Sequence, residues 1–186
     1  MIPKDDQMND IVRNSVATVR HILSQADQRL EGMENDLAQL THPTHTMNIK
    51  YIILHHSLTA DSKTVSWNAI RKYHTQNLRW RDIGYHFGIE LIDDHYEILA
   101  GRMMGENGAH CREQGMNGKS IGICFLGNLD LIRPLPEQWN LGLKLVRTLM
   151  SIFGVPLEHI CGHRDFATYK SCPGALFNLD KFRSEL

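Results

Sequence analysis

Apolar residues return at alternating steps of four and three along the first forty positions: Val12, Val16, Val19, Leu23, Ala26, Leu30, Met33, Leu37 and Leu40. This spacing predicts a helix over residues 1–40 with one apolar seam, and no proline interrupts it between Asp5 and Leu40. Arg29 and Glu34 flank the seam as an opposite-charge pair of the kind that crosses between parallel helices. Two readings stay open. The helix is either a coiled-coil arm that joins copies of the chain into a homo-oligomer, or an amphipathic helix folded back on the main domain. Over this length a period of 3.5 is hard to separate from one of 3.6, and Gly32 and the small Ala26 weaken the seam. The stretch "THPTHTM" over 41–47, with Pro43, ends the helix and reads as a linker. Its His42 and His45 are candidates for casual metal chelation only.

From residue 48 onward the pattern changes. "IKYIILHHS" is a short apolar run rich in β-branched residues, as expected of a buried strand. "SWNAIRKYHTQN" spaces Trp67, Ile70 and Tyr73/His74 as one helix face. "IGYHFGIELI" reads as a strand, "DDHYEIL" as a turn and a return strand, and "SIGICFLGN" as a further buried strand. "PEQWNLGLKLVRTLMSIFG" has Pro136 in its first turn and Gly154 just past its end, the asymmetry of a helix. "GALFNLDKFRSEL" reads as a closing helix. Strands interleaved with helices predict an α/β domain over 48–186, with a central mixed sheet flanked by helices.

Composition narrows the function classes. A net charge of −1 gives no electrostatic reason to expect a nucleic acid or an anionic membrane as partner. No stretch is apolar enough for membrane insertion. The N-terminus, "MIPKDDQMNDIVRN", lacks the apolar core of a signal peptide, which predicts synthesis in the cytoplasm. Cys111, Cys124, Cys161 and Cys172 are then expected as thiols or ligands rather than a disulfide framework. Eleven histidines invite a search for a metal site.

The candidates for it are His55 and His56, His163 after "ICG", and Cys172 before Pro173-Gly174. Side chains alternate across a strand, so His55 and His56 face opposite ways, and one of them can enter a site. Two imidazoles and a thiolate suit Zn²⁺, with one coordination position left open for chemistry. A buried structural histidine and an inert buried cysteine are the competing reading for each residue.

"LHHSLT", "DIGYHF", "GAH", "NGKSIGICFLGN" and "GHRDFATYKSCPG", in this order, resemble the zinc-dependent N-acetylmuramoyl-L-alanine amidases, a family that includes amidase-type phage lysozymes and peptidoglycan recognition proteins. The resemblance spans about residues 48–183 and implies their α/β fold and action on peptidoglycan or muropeptides. It implies His55, His163 and Cys172 as zinc ligands, with Tyr85 and Lys170 completing the catalytic machinery. His110 and Asn117 match positions that line the substrate cleft. Some relatives carry a glutamate on the strand equivalent to "SIGICFLG"; here that strand has no acid, which favours the version relying on Tyr85 and Lys170. Asp165 is a candidate partner of a ligand imidazole or of a nearby arginine, and Trp80 of a sugar or of the core. The resemblance leaves three functions open: a wall-lysing or muropeptide-recycling amidase, a binding module without catalysis, and a platform acting through the N-terminal arm. An endolysin would act on the wall after release from the cytoplasm.

Overall fold

A computed structural model describes residues 48–60 and 66–186 of the chain. The helix expected over 1–40 and the linker over 41–47, with His42 and His45, lie outside the described residues. The described residues form one compact unit.

Five strands make one sheet: β1 (Tyr51–His56), β2 (Phe87–Ile92), β3 (His95–Ala100), β4 (Ser120–Phe125) and β5 (Ile160–Gly162), in the order β3-β2-β4-β1-β5. Among these strands the β2–β3 pair is antiparallel and the others are parallel. Among the described residues, three α-helices accompany the sheet: α1 (Trp67–Lys72), α2 (Pro136–Phe153) and α3 (Leu179–Ser184). The sheet is therefore mixed and helix-flanked, as the sequence pattern predicts. No helix among the described residues is long and apolar enough to cross a membrane.

Three elements depart from the sequence pattern. The strand expected from residue 83 starts only at Phe87. Before it, Gly84 binds elsewhere, its N–H donating to His74 Nδ1 and its carbonyl accepting from Ala109 N–H. The final helix begins at Leu179, where Asn178 Oδ1 accepts from Lys181 N–H and caps it. Strand β5 is three residues long, too short for any alternation to reveal it. It pairs with β1 alone, Leu54 opposite Gly162, and thereby sets the start of the next segment beside the end of β1.

The two faces of the sheet differ. On one, Ile52, Leu54, Ile121, Ile123 and Phe125 pack against Leu143, Val146 and Leu149 of α2 and Phe182 of α3. Phe125, Phe177 and Phe182 meet tilted or edge-on, with ring centroids 5.2–6.1 Å apart. Helix α2 has Pro136 at its start and ends on Gly154 at φ 65°, a left-handed cap that glycine adopts without steric cost. Buried Gln138 fastens its first turn to the sheet by donating to the carbonyls of Ile89 and Leu126. On the other face, smaller apolar groups around Ile53 and around Trp67 and Cys124 leave room for a cleft.

Candidate metal centre

The centre forms at the carboxyl ends of β1 and β5, where parallel strands of an open sheet habitually present ligand sites. Alternation places His55 on the face of Ile53 and His56 on the face of Leu54. His56 Nδ1 accepts the N–H of Leu129 and so serves the loop after β4. His55 is 1% exposed and turns into a cleft of about 500 Å³, whose walls include Tyr85, His163, Lys170, Cys172 and Trp80.

His163 opens a short 3-10 turn after β5, its ring centroid 4.7 Å from that of His55. Cys172 arrives on the following loop, which is held at several points. The N–H of Arg164 donates to the Cys172 carbonyl at 2.7 Å, and the Arg164 guanidinium donates to the carbonyls of Ser171, Gly174 and Phe177. Asp130 accepts from Ser171 Oγ at 2.8 Å and from Ala175 N–H at 2.7 Å. The Cys172–Pro173 peptide is cis.

The donor atoms of His55, His163 and Cys172 all lie within 4.8 Å of one another. Cys172 Sγ is 3.5 Å from His55 Nδ1. Bond lengths of about 2.0–2.1 Å to nitrogen and 2.3 Å to sulfur, at a tetrahedral angle, put N and S about 3.5 Å apart around zinc. The residues therefore fit a zinc ion. Their chemistry agrees: burial first, then the charges of His110, His163 and Lys170, hold the His55 imidazole well below its usual range, in the neutral form a ligand requires. Burial and Lys170 also lower His163. Burial pushes the Cys172 thiol up to about 11, while the His56 backbone N–H and Lys170 pull the other way. Ligation would displace that thiol proton.

Around this set, Tyr85 is half-buried with its ring 5.2 Å from that of His55. Burial, with Cys124 and Cys172 close by, raises its phenol well above the usual range, so it stays a hydrogen-bond donor. Lys170 is exposed at the rim, its Nζ 5.7 Å over the Tyr169 ring. Trp80 is half-buried and lies against His74, with centroids 4.6 Å apart.

Of the two residues expected to contact substrate, His110 lines the cleft and Asn117 stands behind it. His110 is 7% exposed, and its Nδ1 lies 3.0 Å from His55 Nε2. It supports the back of a candidate ligand while reaching the cleft wall. Gly122 makes this possible, since a Cβ there would stand 2.5 Å from the His110 ring. Asn117 does not line the cleft; its Oδ1 accepts the N–H groups of His110 and Cys111, each at 2.8 Å. Asp165 takes its arginine alternative: it accepts from Gly162 N–H at 2.9 Å and pairs with Arg183 at 3.5 Å. His86, fully buried, accepts from Gly122 N–H and donates to the Glu106 carbonyl, a structural role.

Sequence reading missed Glu113, whose Oε2 lies 3.5 Å from His163 Nε2 and whose Oε1 accepts from the Tyr169 hydroxyl at 2.7 Å. Fifty positions separate it from His163, and no local pattern links the two.

The sequence profile described as N-acetylmuramoyl-L-alanine amidase matches residues 45–175. Peptidoglycan-recognition protein 2 of Holotrichia diomphalia is 34% identical over 103 residues, covering 53% of this chain and 52% of that protein. The endolysin of Escherichia phage T7 is 37% identical over 79 residues, 42% of this chain and 48% of that one. The chain thus spans about half the length of these two relatives. Among solved structures, the N-acetylmuramoyl-L-alanine amidase LysC from Clostridium intestinale aligns with a TM-score of 0.65 and 26% identity, covering 76% of this chain and 87% of that one.

Proposed function

The chain belongs to the N-acetylmuramoyl-L-alanine amidase family, and from that premise we propose that it is a zinc-dependent enzyme that hydrolyses the amide between N-acetylmuramic acid and L-alanine in peptidoglycan or its fragments. The observation that carries this reading is the convergence of the donor atoms of His55, His163 and Cys172 within 4.8 Å of one another, with His55 Nδ1 and Cys172 Sγ 3.5 Å apart, in a cleft that also holds Tyr85 and Lys170.

His55, His163 and Cys172 would hold the ion. When bound, zinc supplies Lewis acidity, polarising a carbonyl and making water a competent nucleophile near neutral pH. The chain's own groups do the rest. The cleft admits the lactyl-alanine amide so that its carbonyl meets the ammonium of Lys170, which stabilises the negative charge that develops on that oxygen as water adds to the carbon. The phenol of Tyr85, kept protonated by burial, orients the attacking water. Collapse breaks the C–N bond, and the proton taken from water ends on the departing nitrogen, which becomes the free amino group of alanine. The lactyl group is left as a carboxylate.

The test uses the purified chain with purified peptidoglycan, scoring new amino groups against new reducing sugar ends, with and without a chelator. New amines without reducing ends, lost on chelation and restored by zinc, are expected. Lys170→Ala should lower kcat by about 100–1,000-fold and Tyr85→Phe by about 100-fold. Zinc-loaded protein that binds peptidoglycan but releases no amines would overturn the enzyme reading in favour of a recognition module.

A further inference from the structure

The Ala109–Lys119 loop is not part of the ligand set, yet it touches both candidate histidine ligands. His110 meets His55 at Nε2, and Glu113 meets His163 at Nε2. We propose that Glu113 is a positioning residue for the metal centre: its carboxylate holds the Nε2–H of His163 and thereby turns Nδ1 of that ring toward the ion. This inference rests on the zinc reading given above.

The local structure is built to hold a carboxylate there. Gln114 (φ 51°) and Gly115 (φ 69°) both take left-handed conformations and fold the chain back directly after Glu113. Asn117 Oδ1 binds the N–H groups of His110 and Cys111, so the stretch from 110 to 117 is closed on itself. The Glu113 side chain is only 18% exposed. One oxygen accepts from Tyr169 at 2.7 Å, a residue on the loop that carries Lys170 and Cys172; the other faces His163 at 3.5 Å. Glu113 therefore ties the 110–117 segment to the ligand loop. An imidazole whose outer nitrogen is held by a carboxylate has its tautomer and ring direction fixed and is a stronger donor through the inner nitrogen.

Two other roles fit less well. Glu113 does not line the cleft, and both its oxygens are engaged, so it is poorly placed to exchange protons with substrate. Cys111, Glu113 and His163 also form a second donor group within 4.8 Å, but it shares His163 with the first. Cys111 is a buried thiol, pushed up to about 12 by burial and by Glu113 itself. A second ion there would compete with the first for the same ring.

The experiment measures zinc affinity and stoichiometry of the full chain by competition with a chromophoric chelator, for wild type, Glu113→Ala, Glu113→Gln and Tyr169→Phe. The visible spectra of the cobalt-substituted proteins are recorded alongside. Glu113→Ala is expected to bind one ion about 10–100-fold more weakly, with an altered cobalt spectrum and an unchanged melting point of the metal-free protein. Glu113→Gln, which keeps the shape and one acceptor oxygen, should recover part of the loss, and should hold the fold if the alanine variant does not. Tyr169→Phe should fall between wild type and Glu113→Ala. Zinc affinities of both Glu113 variants within about twofold of wild type would overturn the proposal, as would two ions per wild-type chain with one of them lost in the variants. A wild-type chain that takes up no zinc would overturn the zinc reading itself, a different result from tight wild-type binding unaffected by Glu113.

Discussion

His55 and His56 are neighbours in sequence and are both buried, yet their rings meet different partners. His55 looks onto the open face of the sheet, among imidazoles, a thiol and a phenol; His56 lies on the face packed by helices α2 and α3 and accepts one backbone N–H. The closed face is dominated by apolar side chains, so its interactions are summed over many small contacts. The open face relies on a few polar atoms whose spacing must hold to tenths of an ångström. One face should therefore fail by losing stability, and the other by losing chemistry while the fold persists.

The largest effect should come from the open face. Replacing Cys172 or His163 by alanine is expected to remove zinc binding and lower amide hydrolysis by a factor on the order of 1,000 or more, since Lewis-acid assistance is worth several kcal/mol. The melting point of the metal-free protein should barely move. His56→Ala makes the sharpest contrast: zinc binding should persist while stability falls, as Leu129 N–H loses its acceptor. Isothermal titration with zinc and thermal melts on the same samples separate these outcomes.

Next comes the closed face. Phe182 is fully buried against Phe125, Phe177 and Trp139. Phe182→Ala should cost about 3–5 kcal/mol of folding free energy, read from urea titration, with activity per folded molecule unchanged. A variant that kept its stability but lost activity would erase the distinction between the faces.

The smallest expected effect is at the join between them. Asp130 holds the Cys172 loop through Ala175 N–H and Ser171 Oγ, and these bonds lower its pKa. The folded state therefore favours the carboxylate. Its contribution is full above the unfolded aspartate pKa of about 3.9 and is lost as pH falls through the lower folded value. Because the group is solvent-accessible, Asp130→Asn should lower the melting point near neutrality by no more than about 5 °C, and the gap to wild type should close at the acid end. A constant gap across that range would show that the bonds are indifferent to the charge.

What the sequence makes legible follows from range. Strand alternation separates His55 from His56 within two positions, and helix α2 carries its own start and stop signals in Pro136 and Gly154. Five ordered motifs carry the family resemblance over most of the chain. What stays hidden depends on distant packing. Strand β5 has three residues, and only its pairing with β1 shows how His163 arrives beside His55. His110 lines the cleft as the sequence suggests, but its second contact, with His55 Nε2 in space left by Gly122, shows only in the fold. Glu113 has no flanking pattern to mark it, and its significance comes wholly from meeting His163 and Tyr169.

Anomalous X-ray diffraction from zinc-soaked crystals, collected on both sides of the zinc absorption edge, tests the metal centre most directly. One strong zinc peak bonded to His55 Nδ1, Cys172 Sγ and His163 is expected, with His56 unliganded beneath it. No peak at that position, or a peak bonded to His56 instead of His55, would contradict this assignment.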